Sequence, residues 1–450
     1  MPRLRMVGLL LAFGLLAAAC SSDDVGSDVV DAAGPTTTHP ADDDSSPALV
    51  ESGEGNVDPV AACAPSATLA GTGSSEDLGN RTADTRQGFD GIGLAERGPE
   101  EEVLSAIRNH RSPEFSPLVD LDLIIQGASA PDAIRPIDDP LYLCSGDIDF
   151  FDDSEPVIAI ELNGDARAYP LGILINHEIV NDVIGGVPVT VTYCPLCNSA
   201  IAYQRQLGDR LLDFGTSGFL YQSALVMYDR QTGTMWTHYD GRAVVGHLEG
   251  EQLEFVPVST VSWRDWRTGH PESLVLSPYT GFGISYGLNP YVGYDNAENS
   301  PRPGFYEGDI DDRLLPKERV VGIARGGESA ALPSAAVAAA GVTTLELGGS
   351  EVAVWHQPGA SSALAGNTTS DGPDVGAVSV FEPLADDGRA LTFERTSDGF
   401  VDAETGTTWN IFGIALDGPL EGERLTQVAH LDTFWFSWIT YNPETRLVVS

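Results

Sequence analysis

Residues 228–253 read YDRQTGTMWTHYDGRAVVGHLEGEQL, and residues 401–425 read VDAETGTTWNIFGIALDGPLEGERL. Asp229, Thr232, Gly233, Thr234 and Trp236 align with Asp402, Thr405, Gly406, Thr407 and Trp409. After one deletion Gly241, Gly246, Leu248 and Leu253 align with Gly413, Gly418, Leu420 and Leu425, and the match runs on from Trp263 and Trp266 to Trp435 and Trp438. An internal repeat of this kind means that one supersecondary unit is used twice. Residues kept in both copies point to architecture, and residues kept in one copy are candidates for function.

The repeat extends upstream. Val157–Ile160, Asn163-Gly164-Asp165, Pro170 and Pro195 fall without a gap on Val320–Ile323, Gly326-Gly327-Glu328, Pro333 and Pro358. The runs VIAIEL, VPVTVTY, SAIAYQR, LLDFG, SALVMYD and RAVVG are short, β-branched or aromatic, and separated by NGD, GG, LGD and TG turn signals. These features predict a mainly β (β-rich α+β) fold of two tandem, pseudo-symmetric β-rich repeats with few short helices. The repeats cover residues 155–276 and 318–450, joined by an irregular Gly-, Pro- and Tyr-rich connector, 277–317. Short helices are expected at Glu100–Asn109, inside an N-terminal wrapping segment (67–154), and around Pro170–Ile175, where proline suits a first turn.

The ends and the composition set the environment. Residues 1–19 have a basic start (Arg3, Arg5), an apolar run and Ala17-Ala18-Ala19 before Cys20, the pattern of an export signal whose first mature residue is a lipidated cysteine. Residues 20–66, an acidic stretch without basic side chains, read as a disordered tether. The expected location is therefore outside the cell, anchored by lipid to the outer face of the bacterial cytoplasmic membrane. With 66 acidic against 24 basic residues, a net charge of −42 and Lys317 as the only lysine, the chain would be repelled by nucleic acid and by anionic lipid. The lipid anchor is then the only membrane contact expected.

Chemistry concentrates in the first repeat. Cys194-Pro195-Leu196-Cys197 has Gln357-Pro358-Gly359-Ala360 as its counterpart, while His177, Glu178, Asn181 and His238 fall on Ala340, Gly341, Thr344 and Ile411. If Gly185-Gly186 is a two-residue hairpin turn, Ile184 pairs with Val187, and counting outward places His177 opposite Cys194. Three chemistries fit a Cys-x-x-Cys with a nearby histidine. Two thiols can cycle through a disulfide, with Cys194 as nucleophile and His177 as base; the βαβ surroundings of a thioredoxin-like fold are missing. Cys194, Cys197 and His177 can also bind copper or zinc, with His238 or solvent as a fourth ligand. The pair can equally be a structural staple in an exported, non-catalytic surface binding module. Glu178, Asn181, Tyr193, Asn198 and His238 are candidates for the surroundings of the site. Cys63 and Cys144 form a possible disulfide among three connectivities.

The six paired tryptophans read as core because both copies keep them, and Asp229 and Asp402 read as turn-capping residues. Phosphate-loop, GxSxG and HExxH motifs are absent, so no common hydrolase or nucleotide signature is present.

With IDDP from Ile137, ARAYPL from Ala166, NHEIVND from Asn176, GGVPVTVTYCPLCNSAIAY from Gly185, FGTSGFL from Phe214, LVMYDRQTG from Leu225 and FWFSW from Phe434, the chain resembles a large uncharacterised family of exported prokaryotic proteins. The resemblance covers roughly residue 132 to the end and implies family membership but no activity. It implies Cys194, rather than a symmetric dithiol, as the working residue. The alanine-rich stretch Ala335–Ala340 departs from the family pattern, so no site is expected in the second repeat.

Overall fold

β-Branched and aromatic runs form the strands, and the Gly- and Asn-bearing segments between them form the turns. The computed structural model describes residues 49–51, 98 and 100–449. The fold is β-rich, with five short α-helices among the described residues. The export signal, Cys20, Cys63 and most of the expected tether lie outside them.

Four strands in the order Phe255–Val256, Ser199–Gln204, Val187–Cys194 and Ile179–Ile184 make one antiparallel sheet. Its hairpin turns at Gly185 (φ 53°) and Gly186 (φ 78°), the two left-handed positions a type I′ turn demands. A Cβ on Gly185 would also lie 2.0 Å from the Leu162 carbonyl oxygen. Ile184 pairs with Val187 and the ladder runs to Ile179↔Thr192. A second sheet orders Ala243–Val245, Met235–Thr237, Ala224–Asp229, Phe214–Tyr221 and Ile124–Gln126. The second half builds comparable ladders. Val157↔Pro170 to Leu162↔Asp165 corresponds to Val320↔Pro333 to Arg325↔Glu328, and Ser350–Gln357 lies between Val342–Leu347 and Ala377–Phe381.

The two Asp-Thr-Trp turns are built alike. Asp229 accepts hydrogen bonds from the Thr232 amide (2.7 Å), the Thr232 hydroxyl and the Trp236 indole (3.0 Å). Asp402 accepts the same set from Thr405 (2.6 Å) and Trp409 (3.0 Å). The six paired tryptophans are all buried. One core brings the halves together, with Ile179, Cys194, Cys197, Phe214 and Trp236 packed with Trp435 and Trp438.

Asp165–Pro170 and Ile179–Ile184 are tied by a buried ionic cluster. Arg167, 2% exposed, bonds Asp182 at 2.9 Å and Asp165 at 2.7 Å, and the Tyr142 and Tyr169 hydroxyls donate to Asp182.

Three segments differ from the sequence reading. Leu49–Glu51, within the segment expected to be a disordered tether, pairs as an edge strand with Leu141–Cys144. The wrapping segment does more than wrap, since Ile124–Gln126 and Leu141–Cys144 enter sheets. LLDFG is not one strand: Leu211 ends a two-residue strand and Phe214 opens the longer Phe214–Tyr221, because Leu212 and Asp213 turn inward to meet Arg205. The short helix expected at Pro170–Ile175 is present as Leu171–Leu174 with Pro170 as its cap, and its last turn reaches His177, whose amide bonds the Leu174 carbonyl at 3.1 Å.

Candidate metal centre

The strand Val187–Cys194 delivers Cys194 to the end of a tight turn, residues 195–198, which closes on the pair Cys194↔Ser199. Pro195 accepts the Asn198 amide at 3.3 Å, and Asn198 takes a left-handed φ of 49°, which Asn tolerates better than most residues. The turn thereby holds Cys197 against Cys194. His238 follows the strand Met235–Thr237. Its amide donates to Leu225 at 3.0 Å and its carbonyl accepts the Tyr203 hydroxyl at 2.8 Å, so its backbone is fixed on both sides.

One ligand atom each from Cys194, Cys197 and His238 lies within 4.8 Å of the other two, the only such His/Cys/carboxylate group among the described residues. The three residues are 1%, 0% and 0% exposed. Neither ring nitrogen of His238 has a hydrogen-bond partner. Leaving a buried polar group unpaired costs about 1–3 kcal/mol, so the imidazole is placed at the expense of stability. Burial pushes its pKa down to about 3, so it is neutral and has a lone pair to offer.

Cys194 and Cys197 are free thiols, whereas Cys144 is disulfide-bonded; Cys63, expected as its partner, lies outside the described residues. Burial raises the Cys194 pKa, but hydrogen bonds from the Cys197 thiol and from the backbone of Leu225, Cys197 and Leu196 outweigh it and bring it below the ordinary thiol value. Burial, together with the adjacent Cys194 sulfur, drives Cys197 well upward. The pair is thus asymmetric, with Cys194 the readier thiolate and Cys197 the proton holder.

The surroundings come from distant parts of the chain. The Phe434 amide (3.2 Å) and Thr433 hydroxyl (2.8 Å) both donate to the Cys197 carbonyl. Tyr294, from the connector, donates to the Leu196 carbonyl at 3.0 Å, and Tyr239 reaches Thr433 at 3.3 Å. Glu178, with a left-handed φ of 60°, is buried close enough for the Cys194 charge to add to the effect of burial in raising its carboxyl pKa well above the ordinary value. Tyr193 approaches Asn198 at 3.4 Å, and Asn181 bonds Asp138 and the Phe214 carbonyl at 2.8 Å, so both brace the local fold.

His177 does not join the sulfurs. The ladder's last pair is Ile179↔Thr192, and the helical turn before it carries His177 away from the register that the hairpin count assigns. Its Nδ1 meets the Arg135 carbonyl at 2.5 Å and its Nε2 meets the Tyr286 hydroxyl at 2.6 Å. The histidine that lies beside the two sulfurs is His238, expected only as a fourth ligand. A signal for this is present in the sequence, since His238 stands two residues beyond a tryptophan, Trp236, that aligns with Trp409, while His238 itself aligns with Ile411. Tyr239, Tyr294 and Thr433 had no comparable signal.

Two thiols and a neutral imidazole in a dry core form a soft-to-borderline donor set. No curated protein and no solved structure matches the chain. The family described as "Protein of unknown function (DUF3179)" matches residues 131–445, and the chain belongs to it.

Proposed function

We propose that Cys194, Cys197 and His238 bind one soft metal ion, and that the protein handles this metal as a lipid-anchored protein outside the cytoplasmic membrane. Copper(I) is the ion that suits the site best, because two thiolates and one imidazole complete a three-coordinate shell without water. Zinc would need a fourth ligand in its usual tetrahedral geometry. The observation that carries the reading is the orphaned imidazole of His238, fully buried and unpartnered within 4.8 Å of both sulfurs. A bound ion would give that nitrogen the partner that the protein withholds. A thiol–disulfide role is less well supported, since a partner disulfide must reach the attacking sulfur and these sulfurs are 1% and 0% exposed.

The test is titration of the reduced full chain with copper(I) and, separately, zinc, against a chelator of known affinity. One equivalent is expected to bind, with proton release as the thiols ionise. Cys194→Ser should abolish binding and His238→Gln weaken it at least tenfold. Failure of both metals to bind the folded protein, or an unchanged His238→Gln, would overturn the assignment. A disulfide that forms and reopens reversibly between Cys194 and Cys197 without metal would move it to redox chemistry.

A further inference from the structure

His177 has a different setting. The Arg135 carbonyl can only accept, so Nδ1 carries the ring proton and Nε2 accepts the proton of the Tyr286 hydroxyl. Burial lowers the His177 pKa and keeps the ring neutral, consistent with this tautomer. The Tyr286 oxygen in turn meets the Thr280 hydroxyl. With its own proton committed to His177, Tyr286 has no donor left for anything beside it.

Tyr286 lines a cavity of about 910 Å³, walled by the connector, by Phe150–Asp152 of the N-terminal segment, by Glu155 and Gly172 of the first half and by Thr368 and Ser370 of the second. The volume is ample for a small organic molecule. Phe150, Phe151 and Tyr279 are its other aromatic walls, and Phe150 and Tyr279 are 48% and 56% exposed although large and aromatic. The ionisable side chains in the wall are Asp152 and Glu155, both acidic, with no Lys, Arg or His among the lining residues. Glu155 accepts from the Gly172 amide at 3.0 Å and from Thr369 at 2.8 Å; Asp152 accepts from Ser370 at 2.7 Å. Burial raises the Glu155 pKa to about 7, so its carboxyl is only partly ionised at neutral pH, and the exposed Asp152 is the main negative charge of the wall. The side chains therefore offer π-faces and negative charge. Aromatic faces combined with carboxylates are the means by which proteins recognise alkylated ammonium groups.

We propose that this cavity binds a small organic ammonium ion, its charge directed to Asp152 and its alkyl shell packed on Tyr279, Tyr286 and the two phenylalanines. His177 is then a positioning residue, which keeps the Tyr286 hydroxyl proton turned away from the cation. The site is separate from the sulfur centre and needs no metal.

The experiment is calorimetric titration of the full chain with choline and with its neutral isostere 3,3-dimethylbutan-1-ol. Choline is expected to saturate one site and the neutral alcohol to bind at least tenfold more weakly. Tyr279→Ala and Asp152→Asn, both at exposed positions that leave the core intact, should each weaken choline about two- to fivefold, the scale of an exposed cation–π contact or a close opposite charge. His177→Gln should narrow the preference for choline over the alcohol, whereas Cys194→Ser should leave choline binding unchanged. Absence of saturable choline binding, equal affinity for the two probes, or full affinity in both exposed variants would overturn the proposal. A loss of choline binding in Cys194→Ser would also overturn it, by showing that the two sites are one.

Discussion

The turn at 229–238 and the turn at 402–411 share an aspartate, two threonines and a tryptophan in the same hydrogen bonds, and then diverge. The first places His238 beside two sulfurs. The second places Ile411 in an apolar core with Trp355 and Phe400. The contrast recurs along the paired ladders. Arg167 pairs with Ile160, and Ala330 with Ile323; Asp182 pairs with Val189, and Leu345 with Val352. Ala330 and Leu345 belong to a hydrophobic cluster where the first half has buried ions. The link between the strands differs too. Residues 195–198 close a tight turn on Cys197, while the strand ending at Gln357 rejoins its neighbour only at Ala377. The first half thus keeps buried polar groups that the second replaces with apolar ones, although hydrophobic replacements of buried ion pairs are often neutral or stabilising. Where such groups remain unpaired, as at His238, folding does not account for them.

The largest effect expected in breaking this contrast is at the ionic cluster. Arg167→Met leaves Asp165 and Asp182 facing each other in the core and should cost about 3–5 kcal/mol in urea unfolding. Adding Asp182→Leu, the residue type found at 345, should recover part of that loss. A single variant within about 1 kcal/mol of wild type would show that the cluster does not brace the first half.

Next come the twin turns. Asp229→Ala and Asp402→Ala each strip three hydrogen bonds and orphan a buried indole N–H, and each should cost about 2–3 kcal/mol. The two values should agree to about 1 kcal/mol; a wider gap in melting experiments would mean that the shared geometry is not shared energetics.

His238→Ile, the residue type of the second half, removes an unpaired imidazole and should leave the metal-free protein unchanged or up to about 1–3 kcal/mol more stable while metal binding is lost. The gain should depend on pH in a definite sense. An imidazole with a folded-state pKa of about 3 refuses the proton that the unfolded chain accepts below its ordinary value near 6.5. Wild-type stability therefore falls, relative to the variant, as pH drops from 6.5 towards 3, by at most about 1.4 kcal/mol per pH unit. Parallel stability–pH curves for the two proteins would contradict the buried, neutral assignment.

The smallest effect is expected at the turn itself. Asn198→Gly should change stability by less than about 0.5 kcal/mol and preserve metal binding, whereas Asn198→Val, strained at a left-handed φ, should cost about 1–2 kcal/mol and loosen the metal. Equal metal affinity in the two variants would separate the turn's backbone from the site.

Much of the fold is written locally. Gly185-Gly186 can be read because only a pair of left-handed residues makes that hairpin, and the tryptophans can be read as core because repetition marks them as scaffold. The short helices at Glu100–Arg108 and Leu171–Leu174 follow from a local apolar pattern and a proline. The strand at Leu49–Glu51 is hidden in an acidic, unpatterned stretch, since its pairing depends on a partner about ninety residues away.

The site was half legible. Cys194 and Cys197 declare themselves by spacing, and comparison of the two halves of the sequence singles out both histidines. Choosing between them required the end of a strand register, and one helical turn at His177 was enough to reverse the choice. Thr433 and Tyr294 come from the far end and the connector, which no local pattern links to Cys197.

The most direct measurement is X-ray absorption at the metal edge of the reduced full chain loaded with one equivalent of copper(I). A first shell of two sulfurs and one nitrogen is predicted, with the nitrogen lost in His238→Gln and the sulfurs retained. A shell of oxygen and nitrogen alone, or a sulfur shell unaffected by the His238 substitution, would contradict the account.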